Sequence, residues 1–272
     1  MPAEPLRDSA GALHRAAPDA RIVSLVPSIT ELLFDLGLGE RVVGRTGFCV
    51  HPDPAVRAVP KVGGTKDVKL EVVRALAPTH LVVNVDENVA ESVEAMRAFV
   101  PHIVVTHPNA PEDNLSLYAL LGGLFGAEEA AAELSEALRR ELAACRDTRW
   151  DRERVLYLIW KDPWMTIAAD TYIARTLGCV GWDVTTAAGG WAGAARYPQV
   201  PDIAAAVTGV DRVLLSTEPF PFTEAHVQAL GAQVATPIEL IDAEMTSWYG
   251  SRAVRGLAYL RELRKDRSAR SA

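Results

Sequence analysis

The sequence predicts an α/β fold in two lobes built on mainly parallel sheet. Three observations predict it: a strand, loop, helix and second strand in succession over residues 21–44, a helix-then-strand plan that occurs once in each half, and a long helical stretch between the halves. In the opening run, Ile22, Val23, Leu25 and Val26 form a short apolar strand of the kind buried in a parallel sheet. Pro27 ends it. Ser28 and Glu31 have the spacing of a capping box, Leu32, Leu33 and Leu36 mark one helical face, and Gly37 supplies a C-cap. Ligands of open α/β sheets bind at the carboxyl ends of strands, beside helix N-termini, so Pro27 and Ser28 form a candidate ligand-facing loop.

The stretch LEVVRALAPTHLVVNV (70–85) reads as a helix with Leu70, Val73 and Leu76 on one face, then a strand from Leu81. PDIAAAVTGVDRVLLST (201–217) repeats that plan, which places it at a comparable position in a second lobe. Between them, residues 114–147 are helical, interrupted at Gly122-Gly123 and Gly126, with Leu134, Leu138, Leu142 and Cys145 forming an apolar stripe. A helix of about 20 residues spans about 30 Å, enough to join two lobes rigidly. RVLYLIW (154–160) opens the second half as a strand, and Asp170 caps a helix stopped by Gly178. A final helical segment runs from Ser247 to Arg264, and the tail KDRSARSA is expected to fray. The resulting boundaries are a poorly ordered extension at 1–20, an N-terminal lobe at 21–112, a linking helix at 113–149, a C-terminal lobe at 150–246, and a C-terminal helix and tail at 247–272.

With 272 residues, 49% hydrophobic, the chain buries a sizeable core, and a net charge of −7 with interspersed signs argues against nucleic acid and anionic membrane surfaces as partners. Three widely spaced cysteines support neither a disulfide framework nor a cysteine-rich metal site. The opening residues carry no apolar central run, so a cytoplasmic location is expected, a periplasmic one requiring a leader ahead of this sequence. No glycine-rich phosphate loop, G-x-S-x-G elbow or H-E-x-x-H pair occurs, and the chain reads as a binder rather than an enzyme.

Of the six histidines, only His51 is placed as a candidate metal ligand, two residues from Cys49 in FCVHPDP, where a soft metal would find a thiolate and an imidazole; a turn built on Pro52 and Pro54 is the plainer alternative. The tryptophans at 160, 164, 182, 191 and 248 gather in the second half, mostly in loops beside polar and Gly residues, and suit a broad, planar, partly apolar ligand.

The succession VPSITELLFDLG, GFCVHP, KVGGTKDVKLEVVRALAPTHLVV, the long joining helix and IDAEMTSWYGSR resembles the periplasmic substrate-binding proteins with a rigid helical backbone, which serve importers of cobalamin, haem and iron–siderophores. The resemblance covers about residues 21–262 and is nearest to the cobalamin-binding members. It implies two Rossmann-like α/β lobes, each with a central mainly parallel sheet, joined by one long rigid backbone helix, with the ligand held in the cleft between them. Carried onto this chain, the first-lobe ligand residues are Pro27, Ser28, Phe48, Cys49, Val50, Thr65 and Lys66, and the second-lobe ones are Trp160, Trp164, Arg196, Tyr197, Glu218, Trp248 and Tyr249. Glu71 and Asp202 match the acidic residues that family members use to dock on an ABC importer permease.

The expected function is therefore non-catalytic binding of a corrinoid, for transport or intracellular handling, with no intrinsic cofactor and Cys49 or His51 approaching the cobalt. An iron–siderophore or haem carrier is the alternative within binding, drawing on Lys66, Lys161 and Arg196 as cations. A chelatase or corrinoid-modifying enzyme is the alternative from another class, with Glu218 and His51 as its acid–base pair.

Overall fold

A computed structural model of the chain describes residues 6–185 and 195–271, as backbone only beyond Lys265. The chain divides into two compact units: Met1–Pro108 with Glu112–Leu138 and Tyr249–Arg252, and Asn109–Pro111 with Arg139–Trp248 and Ala253–Ala272.

The first unit opens with a short antiparallel hairpin, β1 (Leu6–Arg7) and β2 (Leu13–His14). Next come β3 (Ile22–Ser24), α1 (Pro27–Asp35), β4 (Val42–Arg45), α2 (Leu70–Ala75), β5 (His80–Asn84), α3 (Ala90–Met96) and β6 (His102–Thr106). The four longer strands pair in parallel in the order β4-β3-β5-β6. Every residue of β5 is buried, as both faces of a parallel strand require, and Val23, Leu25, Leu81 and Val83 meet Val62, Val73 and Met96 in the core. The described part of the extension expected to be poorly ordered, from Leu6 on, instead covers the edge strand. Ser9 N donates to Val105 O at 2.9 Å, Val105 N donates to Asp8 Oδ2 at 3.0 Å, and Asp8 Oδ1 accepts from Ala10 N and Ala12 N, so β6 has no open hydrogen-bonding edge there.

Helix α4 (Asp113–Phe125) runs straight through Gly122-Gly123 and ends at Gly126, whose φ of 69° is left-handed. The expected interruption is a packing device: a Cβ at Gly122 would lie 2.5 Å from Ala131 Cβ on α5 (Glu128–Asp147). Helix α5 starts in the first unit and ends in the second. A capping box does not form on α1 either: its N-cap is Val26, without a side-chain cap, and Glu31 is spent on Arg252.

The second unit holds β7 (Glu153–Trp160), β8 (Met165–Thr166), α6 (Tyr172–Gly178), β9 (Trp182–Val184), α7 (Ile203–Ala206), β10 (Arg212–Ser216), α8 (Glu224–Gly231), β11 (Ile238–Ile241), α9 (Ala243–Ser247) and α10 (Arg252–Ser271), which begins with a residue of the first unit. Strands β11, β10 and β7 are parallel, β9 joins β7 in parallel, and β8 turns back antiparallel on it. Leu156, Leu158, Val213, Leu215 and Leu230 form the core. Beneath them Tyr157 Oη is within 2.9 Å of Ser216 Oγ and 2.7 Å of Thr246 Oγ1, satisfying a fully buried hydroxyl. Thr171, not Asp170, caps α6, its Oγ1 accepting from Ala174 N, and the tail expected to fray continues α10 as far as Ser271.

Candidate functional site

Parallel strands deliver their following loops to one edge of a sheet, and in each unit the sequence-predicted residues collect at that carboxyl edge. In the first unit the loop after β4 alternates. Phe48 and Val50 are 62% and 49% exposed, while Cys49 between them is fully buried, accepting from Thr30 Oγ1 at 3.1 Å and lying 3.2 Å from Thr46 Oγ1. Burial pushes the Cys49 thiol above its ordinary pKa, the threonine hydrogen bonds only partly opposing it. Cys49 is thus a core residue, which corrects its placement as ligand contact and metal ligand. His51 is partly exposed, and among the described residues no three His, Cys, Asp or Glu side chains gather as a metal site. Ser28 is also buried, while Pro27 and Thr65 are partly exposed and Lys66 is exposed.

The loop after β5 carries polar groups that the sequence reading passed over. Asn88 Oδ1 accepts from Asn84 N at 2.8 Å, Asn84 Oδ1 accepts from Asp86 N at 2.8 Å, and Asn88 Nδ2 donates to Thr65 O at 3.0 Å. This last bond ties the loop to residues 63–66, over which Phe48 packs: a Cβ on Gly64 would meet its ring at 3.4 Å. The loop presents Val85, 53% exposed, and Glu87, whose Oε1 accepts from Tyr249 Oη at 2.5 Å. Burial pushes Glu87 up to about 7, against the pull of the Tyr249 hydrogen bond and with a further push from the Asp86 charge. Burial and then the Glu87 charge raise Tyr249 well above the usual phenol. Asp86 in turn lies 3.4 Å from His107 Nε2. Tyr249, predicted among the second-lobe residues, belongs to the first unit and is itself buried. The missed signal was NVDEN at the end of a fully buried strand, where turn-forming Asn and paired acids sit at a ligand edge.

In the second unit, Trp160 ends β7 40% exposed, with its ring edge-on to Phe220 at 5.6 Å. Trp164 instead stacks on Phe222 at 5.9 Å and packs on the core, and Trp182 is buried with Nε1 donating to Glu153 Oε2 at 3.0 Å. Residues 196–200 run beside β8, Ala168 N donating to Arg196 O and Thr166 N to Pro198 O, which leaves Tyr197 38% exposed. Glu218 follows β10 and its Oε2 accepts from Trp248 Nε1 at 3.3 Å. Two predicted cations are already engaged: Arg196 Nη2 donates to Asn109 Oδ1 at 2.8 Å, and Lys161 Nζ lies 3.9 Å from Asp162. Trp191 lies outside the described residues. Glu218 and His51, nominated as an acid–base pair, belong to different units.

Of the docking candidates, Glu71 is exposed in the first turn of α2, 3.7 Å from Arg74 Nε. Asp202 is the N-cap of α7, its Oδ1 accepting from Ala204 N and Ala205 N, and is also exposed.

Residues 22–206 match the periplasmic binding protein family. The chain is 26% identical to a vitamin B12-binding protein of Vibrio vulnificus over 221 residues, 78% of this chain and 74% of that protein. It is 28% identical over 170 residues to the uncharacterized ABC transporter substrate-binding lipoprotein YvrC of Bacillus subtilis, covering 59% of this chain and 53% of that one. Among solved structures, the periplasmic vitamin B12 binding protein BtuF of Vibrio cholerae superposes with a TM-score of 0.76 at 17% identity, covering 92% of this chain and 98% of that one. The periplasmic heme-binding protein RhuT of Roseiflexus sp. RS-1 does so at 0.75 and 22% identity, covering 91% and 98%. Likeness at these identities carries the two-lobe α/β fold. These findings overturn the expected cytoplasmic location, since the matching family and relatives are periplasmic or lipoprotein substrate-binding proteins. With more than half of its length matched, the chain belongs to the periplasmic binding protein family.

Proposed function

We propose that this protein binds a corrinoid without transforming it, using the carboxyl edges of its two sheets, and hands it to an ABC importer permease. The carrying observation is the chemistry of those edges: exposed Phe48, Val50, Val85, Trp160 and Tyr197 offer apolar and aromatic surface, and of the three predicted cations Arg196 donates to Asn109 and Lys161 lies beside Asp162, while Lys66 is exposed. Apolar area removed from water contributes roughly 25 cal/mol per Å², so a large macrocycle gains most from such a surface. Ferric siderophores and the propionates of haem bring negative charge, and at the same edges stand the carboxyl groups of Asp86, Glu87, Asp162 and Glu218. An uncharged, amide-rich periphery meets no such repulsion. The vitamin B12-binding relatives support the same reading.

Titration of the purified protein with cyanocobalamin, haem and a ferric siderophore, followed by tryptophan quenching, tests it. Tightest binding of cyanocobalamin is the expected result, and tighter binding of haem or the siderophore overturns the ligand assignment. Glu71 and Asp202 are the proposed docking carboxylates. Reversing both charges is expected to leave ligand affinity unchanged and to abolish stimulation of the permease's ATPase; retained stimulation overturns that role.

A further inference from the structure

Glu87 stands on the loop at the carboxyl end of β5, in reach of the Tyr249 hydroxyl. One oxygen is fixed by Tyr249 Oη, while Oε2 has no partner among the described residues. The loop that carries Glu87 is locked by the Asn84 and Asn88 side chains and tied to Thr65 and to Leu25 O, so the group is held rather than free to swing into solvent. Val85, two residues away, is exposed, and Phe48 packs on the adjoining 63–66 loop, so the carboxyl stands at the rim of apolar surface. The geometry points to Glu87, positioned by Tyr249, as the contact that reads a peripheral amide of the ligand and rejects a carboxylate in its place. This rests on the corrinoid reading above and specifies its polar recognition at the first unit.

The chemistry follows from the two protonation states. With its proton, Glu87 donates to a carbonyl oxygen; without it, the group accepts from an N–H. A primary amide offers both partners, whereas a ligand carboxylate pairs only with the protonated form and is repelled by the ionised one. Since burial brings the Glu87 carboxyl up to about 7, both states are reached near neutrality. The charged and titratable groups around it are Asp86 on its own loop, His107 just after β6 beside Asp86, and Tyr249.

The test compares cyanocobalamin with its three monocarboxylates, in each of which one peripheral propionamide is hydrolysed, at about pH 6 and about pH 8. For the wild type, the cyanocobalamin Kd is expected to change by less than about threefold, and that of at least one monocarboxylate to rise by about tenfold or more between these pH values. Glu87→Gln is expected to lose that rise while still binding cyanocobalamin, an outcome that a merely structural role would not produce. If Glu87→Gln does not fold, Tyr249→Phe, which releases the carboxyl, is expected to blunt the same rise. Cyanocobalamin binding by the wild type with no such rise for any monocarboxylate, or a rise that persists in Glu87→Gln, overturns the inference alone. Absence of cyanocobalamin binding by the wild type overturns the corrinoid reading, and the inference with it.

Discussion

Arg252 grips Glu31 through two parallel hydrogen bonds, Nε to Oε2 at 2.8 Å and Nη2 to Oε1 at 2.7 Å, with both side chains buried. The pair fastens the segment Tyr249–Arg252, far along the chain, to α1 of the first unit. Tyr118 Oη adds a bond to Gly250 O and Asn114 Oδ1 accepts from Gly250 N, so the same segment is also held to α4. A buried pair is costly to break from one side, because the remaining charge has no water. Glu31→Gln or Arg252→Met is therefore expected to lose about 3–5 kcal/mol of stability in denaturant unfolding. The double variant Glu31→Leu with Arg252→Met is expected to recover part of that loss, and a fully additive loss would contradict the coupling.

A second prediction concerns acid. His80 is buried at the start of β5, its ring stacked on His102 with centroids 4.7 Å apart, and burial, followed by the charges of His102 and His14, lowers its pKa to about 4. The folded pKa thus lies below the unfolded value of 6.5, and between the two the unfolded chain binds the extra proton. Stability is fully present above about pH 6.5 and falls as pH drops toward 4, by about 3 kcal/mol in all. Unfolding of His80→Gln and wild type across this range is the check: the variant is expected to lose the slope, and parallel curves would remove His80 as its source.

Arg264 organises the second unit. It pairs with Glu153, donates through Nε to Val180 O at 3.1 Å and through Nη2 to Asp151 O, and lies over the Trp182 ring at 5.4 Å. Burial pushes Glu153 up, but hydrogen bonds from Arg264 and Trp182 and the charges of Arg264 and Arg212 together hold it below the ordinary range. Arg264→Leu is expected to cost about 3 kcal/mol or more, leaving carbonyls and a carboxylate behind, and to shift Trp182 emission. An unchanged melting temperature would contradict this.

Gly256 separates intrinsic propensity from packing. A Cβ there would lie 2.2 Å from Met245 O, a backbone atom of α9. In an open helix Gly→Ala stabilises by about 1 kcal/mol. Here Gly256→Ala is expected to destabilise by about 1–3 kcal/mol, because α9 and α10 must separate; a raised melting temperature would show that they can.

Much of the fold was legible because apolar periodicity reports burial directly. Ile22–Ser24, His80–Asn84 and Arg212–Ser216 are strands where the pattern placed them, and the first two share one parallel sheet. What failed depended on partners distant in sequence. Ser28 and Glu31 have capping spacing, but Arg252 claims the carboxylate from 221 residues away. Gly122 looked like a break because its reason is Ala131 on the next helix. At the candidate site, the alternation that exposes Phe48 and Val50 buries Cys49, and a loop without regular periodicity gives no sign of which way it alternates. Nor does the sequence around Arg196 show that Asn109, 87 residues away, accepts from its guanidinium. Glu87 was passed over because its character comes from burial and Tyr249, neither written in NVDEN.

Calorimetric titration of the wild type, Phe48→Ala and Trp160→Ala with cyanocobalamin tests the central claim most directly. Corrinoid binding at these edges predicts saturable binding by the wild type and an affinity about tenfold weaker in each variant, with melting temperatures unchanged. No binding by the wild type, or equal affinities in all three proteins, would contradict it.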